Sequence, residues 1–309
     1  TPMVFDLEPL AREPLPGDHL RTRAFLKVQD GCDNFCTFCI TKVARGKGVS
    51  RSLAEVMVDV RNALDGSVKE IGLTGVHLGS WGKDIDQTSH LRDLIETILK
   101  ETNVQRLRLS SLEPWDLGES FFSLWEDSRL CPHLHLPLQS GSGAILKKMA
   151  RKTTPEKYMR IVQDARAVVP DMAFTTDMIV GFPGETEAQF QRTYDLLREL
   201  RLDVAHLARY SPRPGTVAHR RLSDDVPAEV KLERFRRLES LQQQLAAEIN
   251  SGYMGQTVPV LFEEKVKARW KGRTPTNKLV FVDSDDELHG QVRPVRITWT
   301  GPWSMLGRL

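Results

Sequence analysis

The sequence is poor in cysteine, with four in 309 residues, which excludes a disulfide-stapled fold. It lacks any run near the roughly 20 apolar residues that cross a bilayer, and no signal-peptide pattern opens the chain. No membrane partner is therefore expected. Neither charge is in large excess: 43 Lys+Arg stand against 41 Asp+Glu, so a polybasic tail and an acidic low-complexity protein are both excluded. What is present is 40% hydrophobic residues, enough for one large core and a small one. Three of the four cysteines fall between Cys32 and Cys39. That clustering is the strongest chemical signal in the chain.

The first residues are proline-rich, with Pro2, Pro9, Pro14 and Pro16 before Gly17. Proline favours extended backbone and removes donors, so residues 1–22 are expected to be a linker from an upstream domain that the chain does not contain. From Arg23 onward, short β-type runs alternate with helical stretches. The runs are Ala24–Val28, Glu70–Thr74, Arg106–Ser110, His133–Leu138, Ala173–Val180 and Asp203–Leu207, each of a length that suits a buried or half-buried strand. Ser52-x-x-Glu55 and Thr186-x-x-Gln189 read as capping boxes, and Thr154-Pro155 as a cap before a first-turn proline. Leu91, Leu94, Ile95, Ile98 and Leu99 form an amphipathic stripe. Six strands alternating with helices imply parallel β/α units, which either close as a partial barrel or lie open as a doubly wound sheet. Periodicity leaves both open. A long helix over Ala228–Asn250 follows, with Leu232, Phe235, Leu238, Leu241, Leu245 and Ile249 on one stripe. Its other face, with Arg234, Arg236, Arg237, Gln242, Gln243 and Gln244, is expected to be solvated.

The domains are therefore expected at 23–251 and 252–309. The second is a small all-β module with strands at Val258–Phe262, Lys278–Val282 and Val292–Trp299. It carries nine Lys+Arg and six Asp+Glu, so a near-neutral total conceals a basic module. Trp270, Trp299 and Trp303 lie among these basic residues, a composition suited to base stacking and phosphate contact. At least one of the three is expected in the core.

The trio Cys32-x3-Cys36-x2-Cys39 sits in the loop after the first strand. Three thiolates wrap one side of a compact centre, and on a four-iron cube they leave one iron open. A structural zinc wants four ligands. Cys131 reads as a small buried hydrophobe rather than a fourth ligand. Phe35 and Phe38 are placed to shield a cluster from water. His133 and His135 share a strand face by alternation, and they read as polar lining of a barrel rather than as metal ligands.

This spacing, with an aromatic before the last cysteine, resembles the radical S-adenosylmethionine superfamily. Four segments resemble its methylthiotransferases: Arg23–Cys32, His133–Ser142, Asp177–Thr186 and Tyr210–Thr216. The final module resembles the RNA-binding TRAM module. The resemblance implies an α/β fold, a partial (β/α)6 radical-SAM barrel followed by a small all-β TRAM-like module. It implies a 4Fe-4S cluster on Cys32, Cys36 and Cys39, and S-adenosylmethionine whose cleavage yields a 5′-deoxyadenosyl radical. It places Thr74 and Gly75 at the cofactor's amino group, Gln139 and Ser140 near its ribose and carboxylate, and Ile179 and Tyr210 near its adenine. The partners implied are a tRNA anticodon-loop substrate and an electron donor such as flavodoxin or ferredoxin, in the cytoplasm, with no DNA. Leu73–Gly82 and Leu109–Pro114 are most similar to the branch that methylthiolates C2 of N6-threonylcarbamoyladenosine at position 37. The other branches act on isopentenyladenosine or on a ribosomal-protein aspartate. Complete members of the family hold a second cluster on three upstream cysteines. This sequence is therefore expected to cleave S-adenosylmethionine without completing sulfur transfer alone. The reading from another class is a non-catalytic RNA-binding protein whose cysteines hold zinc.

Overall fold

A computed structural model describes residues 22–86 and 88–309. The expected linker over residues 1–22 lies outside the described residues except for Thr22. In chain order come β1 (Arg23–Asp30), α1 (Thr41–Arg45), β2 (Val49–Ser50), α2 (Leu53–Asp65), β3 (Glu70–Gly75), α3 (Leu91–Glu101) and β4 (Arg106–Leu109). Next are β5 (His133–His135), α4 (Gly143–Lys148), α5 (Pro155–Val168), β6 (Ala173–Val180) and α6 (Glu187–Leu200). β7 (Val204–Arg209), α7 (Val217–Arg221) and α8 (Ala228–Ser251) complete the first unit.

β1, β3 and β4 pair in parallel, and so do β5, β6 and β7. Parallel bridges from Leu107 to Leu130 and from Ser111 to His135 carry the sheet from β4 to β5. The spatial order is therefore sequential, β1-β3-β4-β5-β6-β7. A doubly wound sheet reverses its order at a switch point, and this one does not. Among the described residues β7 does not pair with β1, so the six strands form an open, partial barrel.

The helices dock as their patterns require. Leu91, Leu94, Ile95, Ile98 and Leu99 of α3 are all buried. Both capping boxes form, at Ser52 with Glu55 and at Thr186 with Gln189. Thr154 accepts from Lys157 N, with Pro155 in the first turn of α5. The long helix differs from expectation. Arg234 and Gln242 are buried, not solvated. Arg234 donates to Glu185 Oε2 at 3.0 Å, and Gln242 donates to Leu202 O and Asp203 O. A buried polar side chain is tolerated where fixed partners satisfy it, and here those partners lie 39 or more residues away in sequence.

The second unit is a closed barrel in the order β10-β12-β11-β8-β9. Its strands are β8 (Thr257–Val266), β9 (Arg269–Arg273), β10 (Leu279–Val282), β11 (Val292–Thr300) and β12 (Met305–Arg308). β9 and β12 are absent from the sequence reading. In each, only two residues, Trp270 with Gly272 and Met305 with Gly307, face the interior as buried positions, so the apolar signal is faint. Trp270 belongs to the core, whereas Trp299 and Trp303 are exposed.

The two units are stitched together beneath the partial barrel. Arg106 donates to Arg273 O and Pro259 O, and Arg108 to Pro275 O and Thr274 O. Asn250 donates to Gly301 O and Pro302 O. Lys278 Nζ lies 2.5 Å from Asp203 Oδ1.

Candidate functional site

Parallel strands deliver their carboxyl ends to one rim, where barrels of this kind build their sites. The cysteine loop leaves β1 at that rim. Its root is fixed by Gly31, at φ +71, where an added Cβ would stand 1.8 Å from Lys47 O. Only glycine fits there. Cys32 N donates to Gly46 O, and the Gln29 side chain donates to Asp30 O and Gly31 O. The same Gln29 accepts from His77 N at 2.7 Å, so one side chain ties the loop root to the exit of β3.

Within the loop Cys32 and Cys36 are half-buried and Cys39 is exposed. Cys39 N donates to Cys36 O, and the Cys39 thiol donates to Thr41 Oγ1 at 3.1 Å. Arg151 Nη1 lies 3.7 Å from Cys36 Sγ. That guanidinium is held by Glu113, which accepts at 2.9 and 2.6 Å, by Pro137 O, and by stacking on Trp115. Burial pushes the Cys36 thiol pKa up, with Arg151 pulling the other way. His77 Nε2 lies 2.6 Å from Asp116 Oδ2. Burial opposes charge on His77, but Asp116 and the neighbouring Cys32 raise its pKa to about 9. Glu113, Arg151, His77, Asp116 and Gln29 were not singled out as site residues from sequence. Gln29, His77 and Glu113 lie inside segments that carry the resemblance, whereas Asp116 and Arg151 lie outside them and have no local signal in the sequence.

The expected cofactor residues divide. Ile179 and Tyr210 are brought together with Phe38 of the cysteine loop in one apolar cluster that includes Met149 and Phe182. Phe182 meets the Tyr210 ring edge-on at 5.1 Å. Thr74 and Gly75 close β3 at the rim, where a Cβ on Gly75 would stand 3.1 Å from Gln29. Gln139 is buried with φ +82, its N donating to Asp177 O and its O accepting from Ile179 N. A non-glycine residue held there stores backbone strain of about 1–3 kcal/mol, a common mark of functional rims. Ser140 is fully buried and faces α6 instead: its hydroxyl accepts from Ser142 N and lies 3.4 Å from Thr193 Oγ1. Phe38 is half-buried, but Phe35 is exposed under Lys42. Cys131 is buried far from the rim, its thiol pushed by burial to about 11.

The loop suits a cluster on its own chemistry. Three buried nitrogens around it, Asn34 Nδ2, His77 Nδ1 and Arg151 Nε, have no hydrogen-bond partner. Unpaired buried donors are costly, and the sulfurs of an iron–sulfur cluster accept such bonds. Among the described residues no three His, Cys, Asp or Glu side chains converge on one ion. A cube meets its three cysteines at three separate irons.

The partial barrel and the rim cysteines together define a radical S-adenosylmethionine protein, and the Radical SAM superfamily is matched over residues 26–197. Solved structures agree at the level of fold. Coproporphyrinogen III oxidase from Escherichia coli has a TM-score of 0.56 at 14% identity, over 82% of this chain and 67% of that one. A radical S-adenosylmethionine methyltransferase from Kitasatospora setae, solved with cobalamin and a 4Fe-4S cluster, has a TM-score of 0.54 at 18% identity, over 63% of this chain and 36% of that one.

Curated relatives named tRNA-2-methylthio-N(6)-dimethylallyladenosine synthase are nearer in sequence. The Chloroflexus aurantiacus protein is 40% identical over 98% of this chain and 66% of its own length. The Acetivibrio thermocellus protein is 41% identical over 93% and 60%, and the Dehalococcoides mccartyi protein 37% identical over 93% and 69%. The chain belongs to the radical S-adenosylmethionine methylthiotransferase family. It spans less than two thirds of the length of the first two of these relatives. Among the described residues no helix is long and apolar enough to cross a membrane.

Proposed function

We propose that this chain is the cofactor-cleaving part of a cytoplasmic tRNA methylthiotransferase, directed at C2 of an N6-substituted adenosine at position 37. The observation that carries the reading is the convergence of the cysteine loop, through Phe38, on Ile179 and Tyr210 at one rim of a six-stranded parallel barrel. Cys32, Cys36 and Cys39 would hold the 4Fe-4S cluster. Thr74, Gly75, Gln139, Ile179 and Tyr210 would bind S-adenosylmethionine, with Ser140 supporting the rim from below. Cluster and cofactor, when bound, supply a radical able to remove a hydrogen atom from a carbon that no side chain could deprotonate.

The chain's own residues do the rest. Arg151 places a fixed positive charge beside Cys36, and Glu113 and Trp115 lock its orientation. Phe38, Phe182 and Tyr210 exclude water on one side. The strained backbone at Gln139 is pinned to β6 through Asp177 O and Ile179 N, which holds the rim in place there. Exposed Trp299, Arg293, Arg296 and Arg308 of the small barrel suit contact with the tRNA backbone and bases. An electron donor such as flavodoxin or ferredoxin would serve the cluster.

Two N6 substituents are supported by different observations. The names of the relatives favour dimethylallyl. The segments Leu73–Gly82 and Leu109–Pro114, and a lumen lined by Arg23, Arg108, Arg273 and Lys278, favour the anionic threonylcarbamoyl group. Mass spectrometry of tRNA nucleosides before and after gene deletion decides, by which methylthio-nucleoside disappears. Loss of neither sinks the tRNA reading. Anaerobic reconstitution should give about four irons per chain and deoxyadenosine formation that Cys36→Ala abolishes. A colourless protein with one tightly bound zinc would instead establish the structural-metal reading.

A further inference from the structure

One cavity has no cysteine in its lining. It occupies about 570 Å³ deeper in the lumen, lined by inward residues of the strands and by Arg273, Asn277, Lys278 and Trp303 of the small barrel. Its floor is rich in charge. Glu70 binds Arg23 at 2.8 Å and Arg108 at 2.7 Å, Glu263 lies 3.3 Å from Arg23 and 3.4 Å from Arg273, and Asp203 pairs with Lys278. Arg106, which also borders this network, is bonded only to backbone carbonyls. Five cations thus face three carboxylates, a surplus of two positive charges in a largely buried place. Buried charge without compensation is costly.

His133 adds an independent sign. It is 93% buried, being 7% exposed, and it lines the cavity. Neither ring nitrogen has a hydrogen-bond partner. A neutral imidazole always carries one N–H donor, so a donor is left idle beside surplus cations. The neighbouring His135 contrasts with it, bonded to Thr175 Oγ1 at 2.8 Å and lying 3.3 Å from Asp177 Oδ2.

We infer that the lumen floor is an oxyanion-binding subsite, built by His133 and Arg23 of the partial barrel with Arg273 and Lys278 of the small barrel, that takes a carboxylate carried on the ligand in the lumen. The inference rests on the functional reading above and names a chemistry for its pocket. It also gives the second domain a part in base selection in addition to RNA contact. A carboxylate would accept from His133 and neutralise part of the excess charge. A wholly apolar substituent would leave those donors buried and unpaired, which is how sites built for a polar group reject an analogue lacking it.

The test is calorimetric titration of the full chain with N6-threonylcarbamoyladenosine, its methyl ester, and N6-dimethylallyladenosine with and without a 5′-phosphate. The free acid should bind at least about tenfold more tightly than the ester, as expected for loss of a charged hydrogen bond. His133→Phe should remove most of that preference, and His133→Gln, which keeps an N–H donor, should restore part of it. Because His133→Phe deletes an unpaired polar group, the melting temperature should hold or rise, separating lost recognition from lost folding. Equal binding of acid and ester, no binding of the acid, or a preference unchanged in His133→Phe would each overturn the subsite. A His133-dependent preference for the phosphate-bearing nucleoside would overturn the carboxylate as its ligand. Deoxyadenosine formation by the unaltered chain tests the radical reading separately, so the two failures are distinguishable.

Discussion

At the residue scale, the charges that matter are inside. Glu70 is 1% exposed and holds two arginines at once. Those arginines keep its carboxyl below the usual carboxylate range, although burial alone would raise it. Removing one member of a buried ionic network leaves the others uncompensated, so Glu70→Gln should cost about 3–5 kcal/mol, read as a shift in the urea midpoint. His133 gives a pH signature. Burial, reinforced by Arg108, His135, Lys278 and Arg273, holds its pKa well below 6.5. The folded ring stays neutral while the unfolded one protonates, so this contribution is complete above about pH 6.5 and is lost as pH falls below it. Between pH 6.5 and 5.5 the loss approaches about 1.4 kcal/mol per unit. His133→Phe should flatten the wild-type slope in that window, and an unchanged slope would refute the assignment.

At the element scale, the fold relies on ends. α2 and α6 start on capping boxes, and the helices return each strand to the same rim. The cysteine loop has no regular structure of its own until α1, a five-residue helix with no buried residue. Its shape therefore depends on Gly31 and the carbonyl of Lys47. Gly31→Ala should cost more than about 1 kcal/mol, because the left-handed backbone and the clash oppose the new methyl together. The stronger effect should be local: reconstituted protein should lose most of its iron while far-UV circular dichroism stays near wild type. Full iron loading of this variant would show that the loop does not need that turn.

At the scale of the whole molecule, the two units share polar groups rather than a flexible joint. Arg106 and Arg108 of β4 spend donors on carbonyls of the small barrel, and Lys278 reaches Asp203 before β7. Separating the units would leave these charges half-satisfied. Hydrogen exchange in β4 and β10 should therefore report one common opening free energy, whereas clearly earlier exchange in β10 would mean that the small barrel unfolds alone.

The sequence by itself determined the strands of the partial barrel, the caps, the α3 stripe and the cysteine spacing, because each is written in neighbours a few residues apart. The same local rules placed Arg234 and Gln242 on a wet helix face and passed over β9 and β12, whose alternation spans only two inward residues each. Only tertiary structure decided that the barrel is open and sequentially ordered, since periodicity does not encode which strand lies beside which. It alone brought Arg151 and Glu113 to Cys36, 115 residues from Arg151 in sequence. It alone turned Ser140 toward α6 and collected a surplus of positive charge beneath the lumen. A polar residue announces itself in sequence, but whether it is solvated, paired or left waiting for a ligand depends on partners far along the chain.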